Sequence, residues 1–160
     1  NISTDFPNTS SLLEPKLHKD YYPEVIFDNK EIVKLNSYSG FCIYIDKSLK
    51  EKHFTQLCTV FENTVFADVY QQLTSQYTLG RVRLMKSTPK TCLTWHQDST
   101  NRIHYPLITD PGCQMVIEDE VLHMPENTWW LTQTENYKHT AFNASTNKRI
   151  HLVAVVRNAN

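Results

Sequence analysis

The chain has 160 residues, enough for one domain with a buried core. Its 16 basic and 17 acidic residues leave a formal net charge of −1, which argues against a dedicated nucleic-acid binder. With 40% apolar and 11% aromatic residues it is not a disordered chain, and no apolar run is long enough to span a bilayer.

Residues 1–20 are polar, carry Pro7 and Pro15, and read as an irregular lead-in. No charged-then-apolar leader opens the chain. Its start at Asn1 rather than Met is compatible with a missing upstream segment. Strands are expected at Glu24-Val25-Ile26-Phe27 and Phe41-Cys42-Ile43-Tyr44-Ile45, with turns at 28–30 and 37–40. From 47 to 77 the period changes. Phe54, Leu57, Cys58 and Phe61 recur at helical spacing, and Val65, Val69 and Leu73 continue it. One long helix or two shorter ones are expected, capped by Asp46 or Ser48 and broken at Gly80.

After Gly80 the chain reads as β. Arg81–Met85 alternates, Cys113–Glu118 and Glu120–Met124 flank Asp119 as a hairpin would, and 125–127 is a turn before Thr128–Leu131. Lys138–Phe142 is a short strand, and Arg149–Val156 alternates before turning fully apolar. Six or more short strands predict a β-sandwich or barrel, with the helical stretch packed on its outside. Cys42, Cys58, Cys92 and Cys113 are far apart and form no C-x-x-C pair. Reduced thiols and a cytoplasmic setting are expected. Asn-x-Ser/Thr triplets at Asn1, Asn8 and Asn143 carry little weight without a secretory signal.

The densest polar cluster is Trp95-His96-Gln97-Asp98. On an extended strand His96 and Asp98 project to one face and could share a metal ion. His139 lies downstream. Two histidines and a carboxylate with open positions form the facial triad of non-haem Fe(II) oxygenases. Alone, H-x-D is weak, since a strand histidine is more often a surface or core residue. Arg149 stands ten positions after His139 and could aim inward beneath the metal, where it would need an anion or a core acid. Arg102-Ile103-His104 and Arg149-Ile150-His151 repeat the pattern R-I-H. Each puts a cation and an imidazole on one strand face. Coincidence is the plain alternative.

The run from Arg81 to Val156 resembles the aspartyl/asparaginyl β-hydroxylase family, including its proline-hydroxylase-like members. The matching stretches are 79–84, Trp95-His96-Gln97-Asp98, 102–107, Pro111-Gly112-Cys113, 139–143 and 149–153, in family order. The resemblance implies a mainly β fold, a double-stranded β-helix (jelly-roll, cupin-like) barrel with packing helices from the N-terminal half. It implies a single domain over 1–160, with 1–78 as lead-in strands and helices and 79–157 as the jelly-roll core.

The resemblance also implies an Fe(II)- and 2-oxoglutarate-dependent dioxygenase that uses O₂, hydroxylates an amino acid or a protein side chain, and releases succinate and CO₂. His96, Asp98 and His139 would hold the metal. Arg149 would pair with the distal carboxylate of 2-oxoglutarate, and Arg102 and His104 match positions near it. Some family members have Gly where Asp98 stands, so this chain keeps a full triad. The segment between His96 and Arg102 is short, and no membrane anchor is expected with the domain.

Trp95, Tyr105 and Trp130 (or its neighbour Trp129) are candidates for the substrate pocket wall, and Arg83, on the strand before the metal motif, could bind a substrate carboxylate or be an exposed strand residue. The expected substrate is a small-molecule amino acid, or else a protein or peptide, with neither nucleic acid nor membrane as partner. His18, His53 and His123 are expected to be surface or structural, while His151 either lines the site or sits in the core. Competing readings are a zinc enzyme on the same three ligands, a non-catalytic jelly-roll that binds a small anion through Arg102 and Arg149, and a fragment lacking residues it needs.

Overall fold

The computed structural model describes residues 2–3, 32–37 and 49–157. The strands expected at 24–27 and 41–45, and also His18, Asp46, Ser48 and Cys42, lie outside them. Strands β1 (Ile2–Ser3), β2 (Ile32–Lys34), β3 (Asn36–Ser37) and β4 (Gln56–Leu57) precede helix α1 (Val65–Gln76). Then follow β5 (Leu79–Ser87), β6 (Thr91–Cys92), β7 (Asn101–Ile108), β8 (Cys113–Ile117), β9 (Glu120–Leu122), β10 (Trp130–Thr132), β11 (His139–Asn143) and β12 (Arg149–Val156). They make a six-stranded sheet, β1-β10-β7-β12-β5-β2, a four-stranded sheet, β6-β11-β8-β9, and a small pair, β3-β4. All pairings are antiparallel. The larger architecture is the expected jelly-roll.

Alternation along β5, β7 and β12 sends each face of the large sheet to a different environment. Val82, Leu84, Ile103, Tyr105, Leu107, Ile150, Leu152 and Ala154 form the main core with Phe66, Val69, Tyr70 and Leu73 of α1. The helix therefore packs on the outside of the sheet. Arg83, Arg102, His104, Arg149 and His151 occupy the alternate positions and face the lumen between the two sheets. Met115, Ile117 and Met124 make a second, smaller cluster. The apolar core thus lies mainly outside the barrel, and the barrel interior is polar.

The helix is shorter than its period predicts. It covers Val65–Gln76, begins at an N-cap Thr64 whose side chain accepts from Phe66 N, and ends where Tyr77 N bonds Leu73 O. Upstream, the chain makes single 3₁₀ turns at Glu51–His53 and Thr59–Phe61, separated by β4. Phe54, Cys58 and Phe61 are buried by this winding rather than by a helical stripe. Asn63 at φ 60° separates it from α1. Cys58 is fully buried and disulfide-bonded, which corrects the expectation of reduced thiols, while Cys92 and Cys113 are free. The triplet at Asn143 is no glycan acceptor. Its side chain is buried, accepts from Ser145 N at 3.0 Å and Ser145 Oγ at 2.7 Å, and donates to Asn147 O at 2.8 Å.

Two buried polar groups tie the N-terminal strands to β5. Asn36 donates to Gly80 O at 2.8 Å and Phe54 O at 3.0 Å and accepts from Val82 N at 2.8 Å. Glu51 accepts from Arg81 N at 2.8 Å and Arg81 Nε at 2.7 Å. Gly80 does not break a helix. It lies in β5, where a Cβ would come within 2.5 Å of Glu51 Oε2. Burial alone would raise the Glu51 carboxyl, but the hydrogen bonds and charge of Arg81 hold it below the ordinary glutamate value.

Replacing Asn36 with Ala leaves Val82 N–H and two carbonyls without partners and should lower unfolding free energy by roughly 2–4 kcal/mol in a urea titration. Because the folded Glu51 carboxyl is the stronger acid, its stabilisation exists only where it is ionised. The stability gap between wild type and Glu51→Gln should be full at neutral pH and shrink as the pH falls below about 4.3, the unfolded glutamate value.

Candidate metal centre

His96, Asp98 and His139 come together, each with a ligand atom within 4.8 Å of the others. The two histidines face each other as an isolated antiparallel bridge. His96 N donates to His139 O at 3.0 Å and His139 N to His96 O at 2.7 Å. This doubly bonded pair sets both rings on one side, with centroids 4.3 Å apart. His139 opens β11. His96 and Asp98 do not sit on a regular strand, as their spacing predicts, but on an irregular segment joined to β11 at that bridge and where Leu93 N donates to Ala141 O at 2.9 Å. Asp98 N donates to Thr134 O at 3.0 Å, which fixes the carboxylate beside the rings.

The Nε2 atoms of both histidines turn to Asp98, at 4.0 Å from His96 and 3.6 Å from His139. Their Nδ1 atoms face backbone carbonyls, Thr94 O at 2.6 Å and Tyr137 O at 3.5 Å. A carbonyl behind each Nδ1 favours the tautomer that leaves Nε2 free to bind a metal. Burial, with help from His96 and Arg102, lowers the pKa of His139 against the opposing pull of Asp98. A neutral ring is the ligating form. Two imidazoles and one carboxylate, with the remaining directions open, suit a divalent transition metal and Fe(II) in particular.

Arg102 does not point to an open anion site. Its Nη2 pairs with Asp98 Oδ1 at 3.2 Å, and its Nη1 donates to Thr100 O at 2.8 Å, to Asn101 O at 3.2 Å and to Thr100 Oγ1. The short connection from His96 to Arg102 makes this contact an i, i+4 pair. Thr134 Oγ1 bonds Thr100 O at 2.9 Å and Asn101 Oδ1 accepts from Glu135 N at 3.2 Å, so the 97–101 segment is clamped to 133–136. These clamps escape a sequence reading, because Thr and Asn carry no motif.

His104 and His151 lie deeper, their rings 5.8 Å apart and edge to face. None of their ring nitrogens has a hydrogen-bond partner, and neither does Nε of Arg149. Burial, then the charges of Arg149 and Arg102, push the pKa of His104 down to about 3, so it is neutral. Burial likewise lowers His151 well below its usual range. Arg149 pairs with no carboxylate among the described residues. It borders both the His104–His151 pocket and a second cavity of about 300 Å³ lined by Met85, Ser87 and Cys92. Orphaned donors around a buried cation fit a bound anion.

The aromatic candidates divide. Trp130 lies opposite His104 on β10 and packs against the lumen cluster of Met115 and Met124. Trp129 faces the other way, into the main core. Trp95 is 47% exposed beside His96. Tyr105 is not in the pocket wall. It is fully buried in the main core, its ring centroid 4.6 Å from that of Trp129 at a tilt of 53°, because it shares the face of Ile103 rather than of His104. Arg83 faces the lumen with its Nε buried and unpartnered. His123 is structural, with Nδ1 2.9 Å from Cys113 O, and His53 Nδ1 accepts from Lys50 N.

The structure is a jelly-roll with a two-histidine, one-carboxylate cluster that could hold one metal ion over a cationic lumen. The sequence pattern of the Aspartyl/Asparaginyl beta-hydroxylase family matches residues 35–158, and the chain belongs to that family. Among solved structures it is similar to a viral collagen prolyl hydroxylase of Paramecium Bursaria Chlorella virus-1 in complex with 2OG. That match has 10% identity over 67% of this chain and 78% of that one, with a TM-score of 0.50. It is also similar to a 2OG-Fe(II) oxygenase family oxidoreductase from Burkholderia pseudomallei, at 14% identity over 60% of this chain and TM-score 0.44. The chain spans about half of that protein, 53%. A cupin domain from Bordetella pertussis matches at 14% identity over 51% of this chain and 84% of that one, TM-score 0.44. No curated protein matches the chain.

Arg102→Ala should lower divalent-metal affinity by roughly 10–100-fold, measured by competition against a chelating dye, since Asp98 loses the group that orients it.

Proposed function

We propose that the chain is an Fe(II)- and 2-oxoglutarate-dependent hydroxylase. In this reading O₂ is consumed, succinate and CO₂ are released, and an amino acid or an amino-acid side chain of a protein is hydroxylated. The observation that carries the reading is the His96–Asp98–His139 cluster together with Arg149, a buried cation whose Nε has no hydrogen-bond partner. His96, Asp98 and His139 would hold the metal. Arg149 would take the distal carboxylate of 2-oxoglutarate through its planar fork. His104, neutral and without a hydrogen-bond partner, would donate or accept a hydrogen bond alongside it. Arg102 holds Asp98 in ligating orientation.

When bound, the metal and cosubstrate supply the oxidising chemistry, and the protein supplies orientation and exclusion of water. The apolar cluster of Met115, Ile117 and Met124 keeps that part of the lumen dry.

No described helix is long and apolar enough to cross a membrane. The disulfide at Cys58 favours a compartment more oxidising than the cytoplasm.

Anaerobic titration with Fe(II) and then 2-oxoglutarate should give a metal-to-ligand charge-transfer absorption in the wild type and none in His139→Ala. Arg149→Ala should weaken 2-oxoglutarate at least about tenfold while metal affinity stays within about twofold. An absorption that survives His139→Ala would remove this assignment. Its absence from the wild type would favour a zinc protein or an anion-binding jelly-roll, which metal analysis of the isolated protein separates.

A further inference from the structure

Arg149 borders two spaces of very different size. One is the cavity of about 300 Å³, which has room for the distal carboxylate of the proposed cosubstrate. The other is a void of about 10 Å³ beside His104 and His151, walled by Cys113, Met115 and Met124. A void of that size takes one guest no larger than about a water molecule. A dicarboxylate does not fit it. The hydroxylase reading therefore leaves this second space without an occupant.

The walls of the void carry donors with nothing to bond. Both ring nitrogens of His104 and of His151, and Nε of Arg149, are out of solvent and without a hydrogen-bond partner. His151 is 4% exposed, and its ring stands edge to face with that of His104, centroids 5.8 Å apart. Arg149 precedes His151 by two residues on the same face of β12. The register of β12 against β7 shifts between Ile150 and His151, which opens the ladder at this point. Each neutral imidazole brings one N–H, and Nε of Arg149 brings another. His104 has two ring nitrogens, so one can serve the cosubstrate while the other serves the void.

Charge decides what these donors hold. Burial lowers the pKa of Arg149, yet a guanidinium does not deprotonate in a protein. No carboxylate pairs with it among the described residues, and the group whose charge would offset it is the Cys113 thiol. That sulfur donates to Asn143 Oδ1 at 3.2 Å, so it is protonated and neutral. Both imidazoles feel the Arg149 charge and are kept neutral by burial and by that charge. The void is therefore net positive. A water molecule would satisfy the donors and leave the charge, whereas a small anion satisfies both.

We propose that this void is a binding site for one small monovalent anion of halide size, held by Nε of Arg149 and by the N–H groups of His104 and His151. The site stands on the void and its donors and does not need the hydroxylase reading. Held there, the anion neutralises Arg149 while the larger cavity is empty.

The test is thermal unfolding at one ionic strength in sodium chloride, sodium bromide and sodium gluconate, the last being too large for the void. Each halide should raise the wild-type midpoint over gluconate by roughly 3–6 °C at about ten times its Kd. The quantity read is the difference between salts within each protein, so a general change in stability does not enter it. That difference should vanish in His151→Leu and in Arg149→Met. It should persist in His139→Ala, which removes a candidate metal ligand and leaves the walls of the void untouched. In crystals soaked in bromide, an anomalous scattering peak should lie between the two imidazoles and Nε of Arg149.

A wild-type midpoint that does not distinguish halide from gluconate would overturn the proposal and leave the void to a water molecule. So would a difference that survives either His151→Leu or Arg149→Met, because the ion then binds elsewhere. Loss of the difference in His139→Ala, or a bromide peak at the His96–Asp98–His139 cluster and none in the void, would also overturn it by moving the ion to the metal centre.

Discussion

The antiparallel pairing of β7 with β12 governs both the core and the site. Register sets Leu152 against Tyr105 and Val153 against His104. The first pair lies on the face that packs against α1, and the second on the face that looks into the barrel. A slip of one residue in either strand would exchange these faces. Ile103 or Ile150 would then enter the polar lumen, and the two basic side chains of the slipped strand would be driven against the helix. The apolar face makes such a slip costly, so the hydrophobic core outside the barrel enforces the placement of charge inside it.

The lumen is the expensive part of this arrangement. Arg83, Arg149, His104 and His151 all bring polar atoms out of water without a hydrogen-bond partner. Leaving such groups unsatisfied costs on the order of 1–3 kcal/mol each. The imidazoles lower the burden by staying neutral. The guanidiniums have no such escape, since even the lowered pKa of Arg83 lies near 10. Stability is therefore drawn from elsewhere. The Asn36 and Glu51 networks and the α1 interface hold the sheet while the chamber waits in a strained electrostatic state. A chamber of this kind trades stability for affinity.

Much of this was legible in the sequence, and the limits have physical reasons. Period-2 alternation after Gly80 located most of the strands, and the R-I-H repeat placed two cations and two imidazoles on one face. The same alternation put Tyr105 with Ile103, away from the pocket, although its nearness to His104 in sequence suggested otherwise. His96 and Asp98 were brought together, but by a clamped irregular segment, because hydrogen bonds from Thr134 and Asn101 replace the ladder that a strand would have used. The long helix failed because a spacing of three and four is also produced by successive turns wound over a sheet edge. Asn36 and Glu51 were missed for a simpler reason. A lone polar residue announces nothing until the fold surrounds it with backbone amides and carbonyls.

The position of β12 has a consequence for how the molecule is made. It is the last of the described strands in sequence, yet it lies between β5 and β7 in the middle of the large sheet. Until residues 149–156 leave the ribosome, β5 and β7 have no partner between them and each offers an open edge. The sheet cannot be zipped progressively from its first strand, and its dominant contacts join distant parts of the chain. Such a topology folds slowly and only after residues 149–156 have been synthesised. During that interval the half-built sheet is vulnerable to pairing with a neighbouring nascent chain, and the polar lumen does not yet exist.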